Sequence, residues 1–420
     1  MPFPHRSSIC LSLCVTLFAC GGLAHGQDAT KSGGWQKVEA AEATRKYQEE
    51  AKAGTVGEQS VAWLRESVLP QLAVEGNRGT IERVRRRIHD VFLNEKSLDA
   101  AALEAANRIA GAAAIKLAMA PDAVPLARIN AMLLVGELRD KDGRPWPQAL
   151  QPLAAAIADA KLPPAVRIAA ATGLARHADA ARAAGGEEFG RVVGPAIDSI
   201  IAGTTPIQDR AGADWLVSRA LEILPAASPQ ASPTTAATVV KILDDTTRPI
   251  DVRVRAAAAL GATAGTNSKV DAGRAIATIR GLGISALEAD ITRAESRALD
   301  RALSGPAATA APGQPTAEPS PSEPELESLL IRRDAWRLSQ LADAIARTDG
   351  QGLARLLDAD AAAAARFAAD ALRKAAGGLD AAPDLATCKR ALDEIREGGG
   401  DAAPTKPAAG ADKPALPFDN

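Results

Sequence analysis

The chain has 420 residues, of which 47% are hydrophobic and only 3% aromatic, and 49 Lys and Arg stand against 51 Asp and Glu for a net charge of −2. So few aromatics argue against a β-sandwich or barrel and fit close helix packing through small side chains. Balanced charge excludes a global basic field for nucleic acid, and equally a strongly acidic one.

Residues 1–26 read as an export signal, with Arg6 (beside His5) as the basic start and Ile9 to Ala19 as an apolar run too short for a membrane span. Two processing sites compete. Ala24-His25-Gly26 suits cleavage before Gln27, whereas Leu17-Phe18-Ala19-Cys20 resembles a lipoprotein lipobox in which Phe18 departs from the preferred small or branched residue. Cys20 is therefore the candidate lipidation site, and membrane attachment is expected only through it. The expected location is the periplasm or cell envelope. Export also leaves Cys388 as the one cysteine certain to survive, with His89 and His177 as the histidines. That is a poor donor set for zinc or copper, and no metal or other cofactor is expected.

Helical patterning runs through residues 35–303, and within it one pattern recurs. Arg128-Ile-Asn-Ala131, Arg167-Ile-Ala-Ala170, Arg210-Ala-Gly-Ala213 and Arg253-Val-Arg-Ala256 are each followed by a Leu or Val and a small residue, at arginine spacings of 39, 43 and 43. Another 43 residues back, Arg85 opens a degenerate copy with Ile88 and Phe92-Leu93. A period near 40 predicts stacked helical hairpins. Pro125, Pro164, Pro206 and Pro249 precede the arginines by three or four residues and open each second helix. First helices are predicted at Leu98 to Met119, Trp146 to Ala160, Glu187 to Ala202 and Pro233 to Leu243, with a preceding hairpin from Glu58 to Leu93 and a closing segment from Val270 to Leu303. In the Arg210 helix, Ala213, Leu216, Val217, Ala220, Leu221 and Leu224 form the apolar stripe, and Asp214, Arg219 and Glu222 lie off it. Such a pair cannot bury both stripes alone and needs its neighbours.

Residues 304–324 form a proline-rich linker, 325–397 a small C-terminal helical unit, and 398–420 a Gly/Ala/Pro/Lys-rich tail expected to be disordered. The C-terminal unit reads either as an appendage or as a cap folded back on the array.

The segment Pro249-Ile-Asp-Val-Arg253-Val-Arg-Ala-Ala-Ala-Ala-Leu260-Gly261 resembles the second helix of HEAT repeats, and Pro164-Ala-Val-Arg167-Ile-Ala-Ala-Ala-Thr-Gly-Leu174 is similar. The resemblance implies an all-α, HEAT-like α-solenoid of about five hairpins. It also implies an Asp before each Arg, bonded along the stack. Asp122 lies six residues before Arg128 as that pattern expects, whereas Asp159 and Asp245 lie eight residues before theirs. Members of that family are mostly protein-binding scaffolds, and a minority bind nucleic acid or small molecules or are enzymes. The expectation is a non-catalytic scaffold for a protein or peptide, without nucleic acid. The alternatives are an envelope-anchored structural lipoprotein and a ligand-binding or enzymatic relative.

Arg128, Arg167, Arg210 and Arg253 are the repeat-signature residues, structural or partner-contacting. Trp146, between two prolines, is a candidate exposed anchor, or else a loop tryptophan folded over a hairpin end. Arg83, Arg85, Arg86 and Arg87 form the densest basic run, read as a solvated face paired with Glu82 and Asp90 rather than a phosphate contact. His89, with Asp90 or Glu95, lacks a nucleophile or metal partner at sensible spacing. His177 is placed at a helix C-terminus, where its charge would suit the dipole. Cys388, beside Lys389 and Arg390, is either a thiol of slightly lowered pKa or a small buried residue. The glycine pairs lack the strand-to-helix context of a phosphate loop.

Overall fold

The computed structural model describes residues 39–184, 186–203, 209–304 and 323–398. The segment expected to be an export signal, with Cys20, as well as Pro206, nearly all of the proline-rich linker and nearly all of the tail, lies outside the described residues. The described chain is all-helical, with an isolated bridge between Arg139 and Pro145 as its one recorded extended pairing. No helix among the described residues is long and apolar enough to cross a membrane.

Three helices open the chain: α1 (Glu39–Lys52), α2 (Glu58–Trp63) and α3 (Ile81–Phe92). Five pairs follow: α4 (Ala100–Met119) with α5 (Pro125–Glu137), α6 (Leu150–Ala158) with α7 (Pro164–Ala184), α8 (Glu187–Ile201) with α9 (Arg210–Ala227), α10 (Pro233–Asp244) with α11 (Ile250–Thr263), and α12 (Ala272–Ser304) with α13 (Glu323–Ile345). Two more close it, α14 (Ala359–Ala381) and α15 (Leu385–Glu397). Local chemistry sets the starts. Asp99, Asp209, Ser232, Asp358 and Asp384 accept hydrogen bonds from backbone N–H groups of the first turns of α4, α9, α10, α14 and α15. Pro125, Pro164 and Pro233 stand first in α5, α7 and α10, where a missing N–H costs no helical bond.

The second helices touch in chain order, α3 to α5 to α7 to α9 to α11 to α13, and the first helices touch from α6 to α8 to α10 to α12. The core lies between these rows. Ala131, Ala170 and Ala256, the alanines of three signature copies, are wholly buried in it. Small residues set the closest approaches. A methyl group on Gly136 would stand 2.6 Å from the Gly173 Cα, and one on Gly261 only 2.4 Å from the Ala344 carbonyl oxygen. At the N-terminal end the row closes on aromatics instead. Tyr47 donates its hydroxyl to the Phe92 carbonyl at 2.8 Å, and the Tyr47 and Trp63 rings each meet Phe92 edge-on at 5.4 Å.

The helices after the linker do not stand apart. α13 packs on α11 across Gly261 as each earlier second helix packs on its predecessor, and α15 packs on α12. Arg280 of α12 donates to the Arg396 carbonyl at 2.8 Å, Arg396 pairs with Glu288 at 2.6 Å, and Lys389 pairs with Glu295 at 2.7 Å. The contact at Gly261 is backbone against side-chain-free backbone, so it has no slack. Gly261→Val is expected to lower stability by about 1–3 kcal/mol through overpacking, whereas Gly265→Ala, whose added methyl meets nothing within 4 Å, is expected to change it by less than about 0.5 kcal/mol. Urea unfolding followed by circular dichroism measures both.

Candidate functional site

The signature arginines act inside the hairpin. The last four carbonyls of a helix have no intrahelical donor, and that end carries the negative pole of the dipole. Arg128 Nε donates to the Ala118 carbonyl at 2.9 Å, Arg167 Nε to Ile157 at 3.0 Å and Arg253 Nε to Leu243 at 2.8 Å. Each acceptor is the penultimate residue of the first helix and lies ten positions before its arginine. Arg167 is 1% exposed. Burial lowers the Arg167 and Arg253 guanidinium pKa against the smaller opposing pull of nearby aspartates.

Arg210 is different, and its grouping with the other three is corrected. Asp209 caps α9, so Arg210 stands at the first helical position rather than the fourth. Ala213 takes the fourth. Arg210 is exposed and donates forward to the Thr247 carbonyl at 2.7 Å and hydroxyl at 2.8 Å. The aspartates do not form the ladder the resemblance implies. Asp159 and Asp245 accept bonds from the Lys161 and Thr247 amides at 2.9 and 3.0 Å, closing their own turns, and Asp122 is exposed.

A different charge row links the second helices. Glu137 of α5 pairs with Arg85 of α3 and lies 3.8 Å from Arg176 of α7. Arg176 also donates to the Gly136 carbonyl at 2.8 Å. Glu222 of α9 pairs with Arg219 at 2.6 Å and with Arg255 of α11 at 3.8 Å, while Arg182 of α7 donates to the Glu222 carbonyl at 2.9 Å. Burial alone would raise the Glu222 pKa, but Arg255, Arg219 and Arg182 outweigh it and hold the carboxyl low. Aromatics bracket this row. Arg219 lies 5.8 Å from the Trp215 ring and Arg255 4.8 Å from the Trp336 ring. Trp215 is 41% exposed. Trp215, Arg219, Glu222, Arg255 and Trp336 thus form a continuous strip across α9, α11 and α13, made of guanidinium donors, carboxylate acceptors and flat apolar rings. Sequence reading passed over Trp215 and took Trp336 only as part of an apolar helix face. For Trp215 the signal was present, because it falls off the apolar stripe that runs through Ala213, Leu216 and Val217.

The remaining sequence candidates are dispersed. Trp146 is 4% exposed, donates its indole N–H to Glu104 at 2.8 Å and sits in the notch left by Gly111, so it packs a hairpin end rather than presenting an anchor. The basic run splits by helix geometry: Arg85 is buried against Glu137, Arg86 pairs with Glu82, and Arg83 and Arg87 are exposed. His89 contacts Asp90 at 3.2 Å, and no cluster of metal-holding residues occurs among the described residues. His177 lies within α7, not at its end. Burial, and then Arg176, push its pKa down to about 4, so it is a neutral core residue. Cys388 is buried, and burial with the carboxylates of Asp334 and Asp290 pushes its thiol up to about 12, against the lowering expected from Lys389 and Arg390.

Those carboxylates form the most polar point of the core. Asp334 of α13 is 0% exposed, and Arg337 donates to it at 2.7 Å, to Asp290 of α12 at 3.3 Å and to Asp251 of α11 at 2.7 Å. Arg333 also pairs with Asp251, and Arg293 with Asp290. Asp334 Oδ2 nevertheless has no hydrogen-bond donor. Desolvation, with the hydrogen bond and charge of Asp290, outweighs Arg337 and raises the Asp334 pKa to about 8. A proton held there supplies the donor that the pair lacks.

No family model matches the chain, and no curated protein matches it.

Two outcomes follow from this geometry. Arg167→Ala is expected to cost about 1.5–3 kcal/mol, the worth of a charged hydrogen bond, with partial recovery in Arg167→Lys, while Arg210→Ala stays within about 0.5 kcal/mol in urea unfolding. The second concerns pH. A carboxyl whose pKa is raised on folding contributes stability that is full below its unfolded value and lost as pH rises through about 8. Neutral His177 acts in the opposite sense, but only below the ordinary histidine value of 6.5. Stability is therefore expected to fall between about pH 6.5 and 8.5 in the wild type, and to stay flat there in Asp334→Asn, in melting curves taken across that range.

Proposed function

We propose that this chain is an exported, non-catalytic HEAT-like α-solenoid scaffold that binds another protein or a peptide on the second-helix strip between Trp215 and Trp336. Three features support the solenoid reading: one row of second helices in sequential contact, a parallel row of first helices, and an arginine recurring at the same helical position in three hairpins. The proposed row extends through α13, so that α12 and α13 make a further hairpin and α14 and α15 close the C-terminal end. Amphipathic end helices with a polar outer side suit the ends of such an array.

The observation that carries the binding reading is Trp215. A large indole left 41% exposed, with the Arg219 guanidinium over its ring, is the residue type that anchors protein interfaces. Its neighbours Arg219, Glu222 and Arg255 are already held by one another, so a partner meets a pre-ordered polar rim around an aromatic anchor.

Site-specific photocrosslinking tests the proposal. A photoreactive aromatic is placed at position 215 of the full chain in envelope preparations, and at Phe367, another exposed aromatic at 64%, as the control. A discrete crosslinked protein at 215 and not at 367 is expected. Trp215→Ala is then expected to weaken binding of that protein at least tenfold, roughly the effect of removing a hot-spot side chain, with an unchanged melting temperature. Equal labelling at both positions, or binding indifferent to Trp215→Ala, overturns it.

A further inference from the structure

We propose that the cleft between the C-terminal end of α13 and the face of α14 is a binding site for a small oxyanion, the phosphate or carboxylate group of a soluble ligand. It shares no residue with the Trp215 strip and does not depend on the scaffold reading. The cleft has a volume of about 260 Å³ and is lined by Arg347, Arg355, Arg366 and Arg373, with Asp370 as the acid in its lining. These arginines come from three segments: the turn after α13, the short helical turn Leu353–Leu356, and α14.

Charge compensation inside the cleft is incomplete. Asp370 pairs with Arg373 at 2.8 Å, and Arg347 pairs with Asp349 at 3.0 Å. Arg355 meets only neutral oxygens, the Gln351 side chain and the Ala264 carbonyl. Arg366 makes no ion pair or hydrogen bond among the described residues and is exposed to solvent. Two guanidinium groups thus face the cleft without a counter-ion. Each is a planar fork matched to the two oxygens of a carboxylate or phosphate.

The cleft is also built rather than incidental. Arg355 is tied to the end of α11 through Ala264, and Arg373 to the end of α13 through the Ala346 carbonyl. The turn between them is closed by the Arg347 amide on the Gln351 carbonyl at 2.8 Å and by Asp349 on the Gln351 amide at 3.0 Å. Gly352 holds φ of 107°, and a methyl group there would stand 2.6 Å from the Ile345 carbonyl oxygen, so the turn is pinned against α13. Donors fixed before binding lose little entropy when an anion arrives. The volume falls below the range typical of drug-sized ligands, which selects a small one.

The test is calorimetric titration of the full chain at low ionic strength with inorganic phosphate, pyrophosphate and citrate, and with chloride at matched ionic strength as the reference. Saturable binding of at least one oxyanion in the presence of chloride is expected. Phosphate or pyrophosphate alone would mark a phosphoryl ligand, and citrate alone a carboxylate ligand. Arg366→Ala, whose side chain makes no ion pair or hydrogen bond among the described residues, is expected to weaken that binding about tenfold with an unchanged melting temperature. Arg355→Lys, which keeps the charge but loses the fork, is expected to weaken it as well. Heats that match the chloride reference for every probe, or binding indifferent to Arg366→Ala, overturn the proposal.

Discussion

The structure depends on one interaction above the others, an arginine guanidinium donating to the carbonyls at the end of a neighbouring helix. Many helices finish on a left-handed glycine whose amide folds back to satisfy the last carbonyls. Five helices here do not. Their capping residues, Ala120, Leu138, Asp159, Asp245 and Ala264, have ψ between 94° and 137°, so the chain leaves in an extended direction and the end carbonyls stay open. Each of the five receives an arginine: Arg128 on Ala118, Arg176 on Gly136, Arg167 on Ile157, Arg253 on Leu243 and Arg355 on Ala264. Lysine would bring the charge but not the several fixed donors, which let Arg176 hold a carbonyl while facing Glu137.

This constraint explains the composition. Alanine-rich helices pack closely but carry few polar side chains able to finish their ends, so the donors must come from the next element. The arginines that do this need acids to balance them. Glu137, Glu222 and Asp251 supply that balance on α5, α9 and α11, each facing arginines of adjacent second helices. Glycine at Gly136, Gly173 and Gly261 adds the other half of the arrangement, because guanidinium reach is useful only when backbones come close.

Much of this was legible in the sequence. The Arg-x-x-Ala period located the second helices, and Pro125, Pro164 and Pro249 located the starts of α5, α7 and α11, because both report on helix geometry that is local. What failed was register and context. In the third copy the Asp209 cap moves the start of α9, so Arg210 falls one turn early and Ala213 and Leu216 take the positions of Arg and Ala. No single-residue pattern distinguishes those two registers. The place of α13 in the row was hidden for a similar reason. Its packing rests on Gly261 against Ala344, across a proline-rich stretch and without the arginine signature. Cys388 shows the limit most plainly. Its sequence neighbours Lys389 and Arg390 are cationic, but the groups that govern it in space are Asp334 and Asp290, from other helices.

The candidate sites follow from what the stacking leaves over. Arg128, Arg167, Arg253, Arg176 and Arg337 are each bound to a carbonyl or a buried acid, and a partner could reach them only by breaking the contacts that hold helices together. The proposed sites therefore use side chains outside that set. Trp215 is off the buried stripe because α9 is shifted, and Arg366 sits on a face of α14 with no further helix to cap. The same arrangement gathers charges at the seam of α11, α12 and α13. There Arg337 meets the carboxylates of Asp334, Asp290 and Asp251, Arg293 and Arg333 pair with the latter two, and desolvation with the charge of Asp290 favours a proton on Asp334.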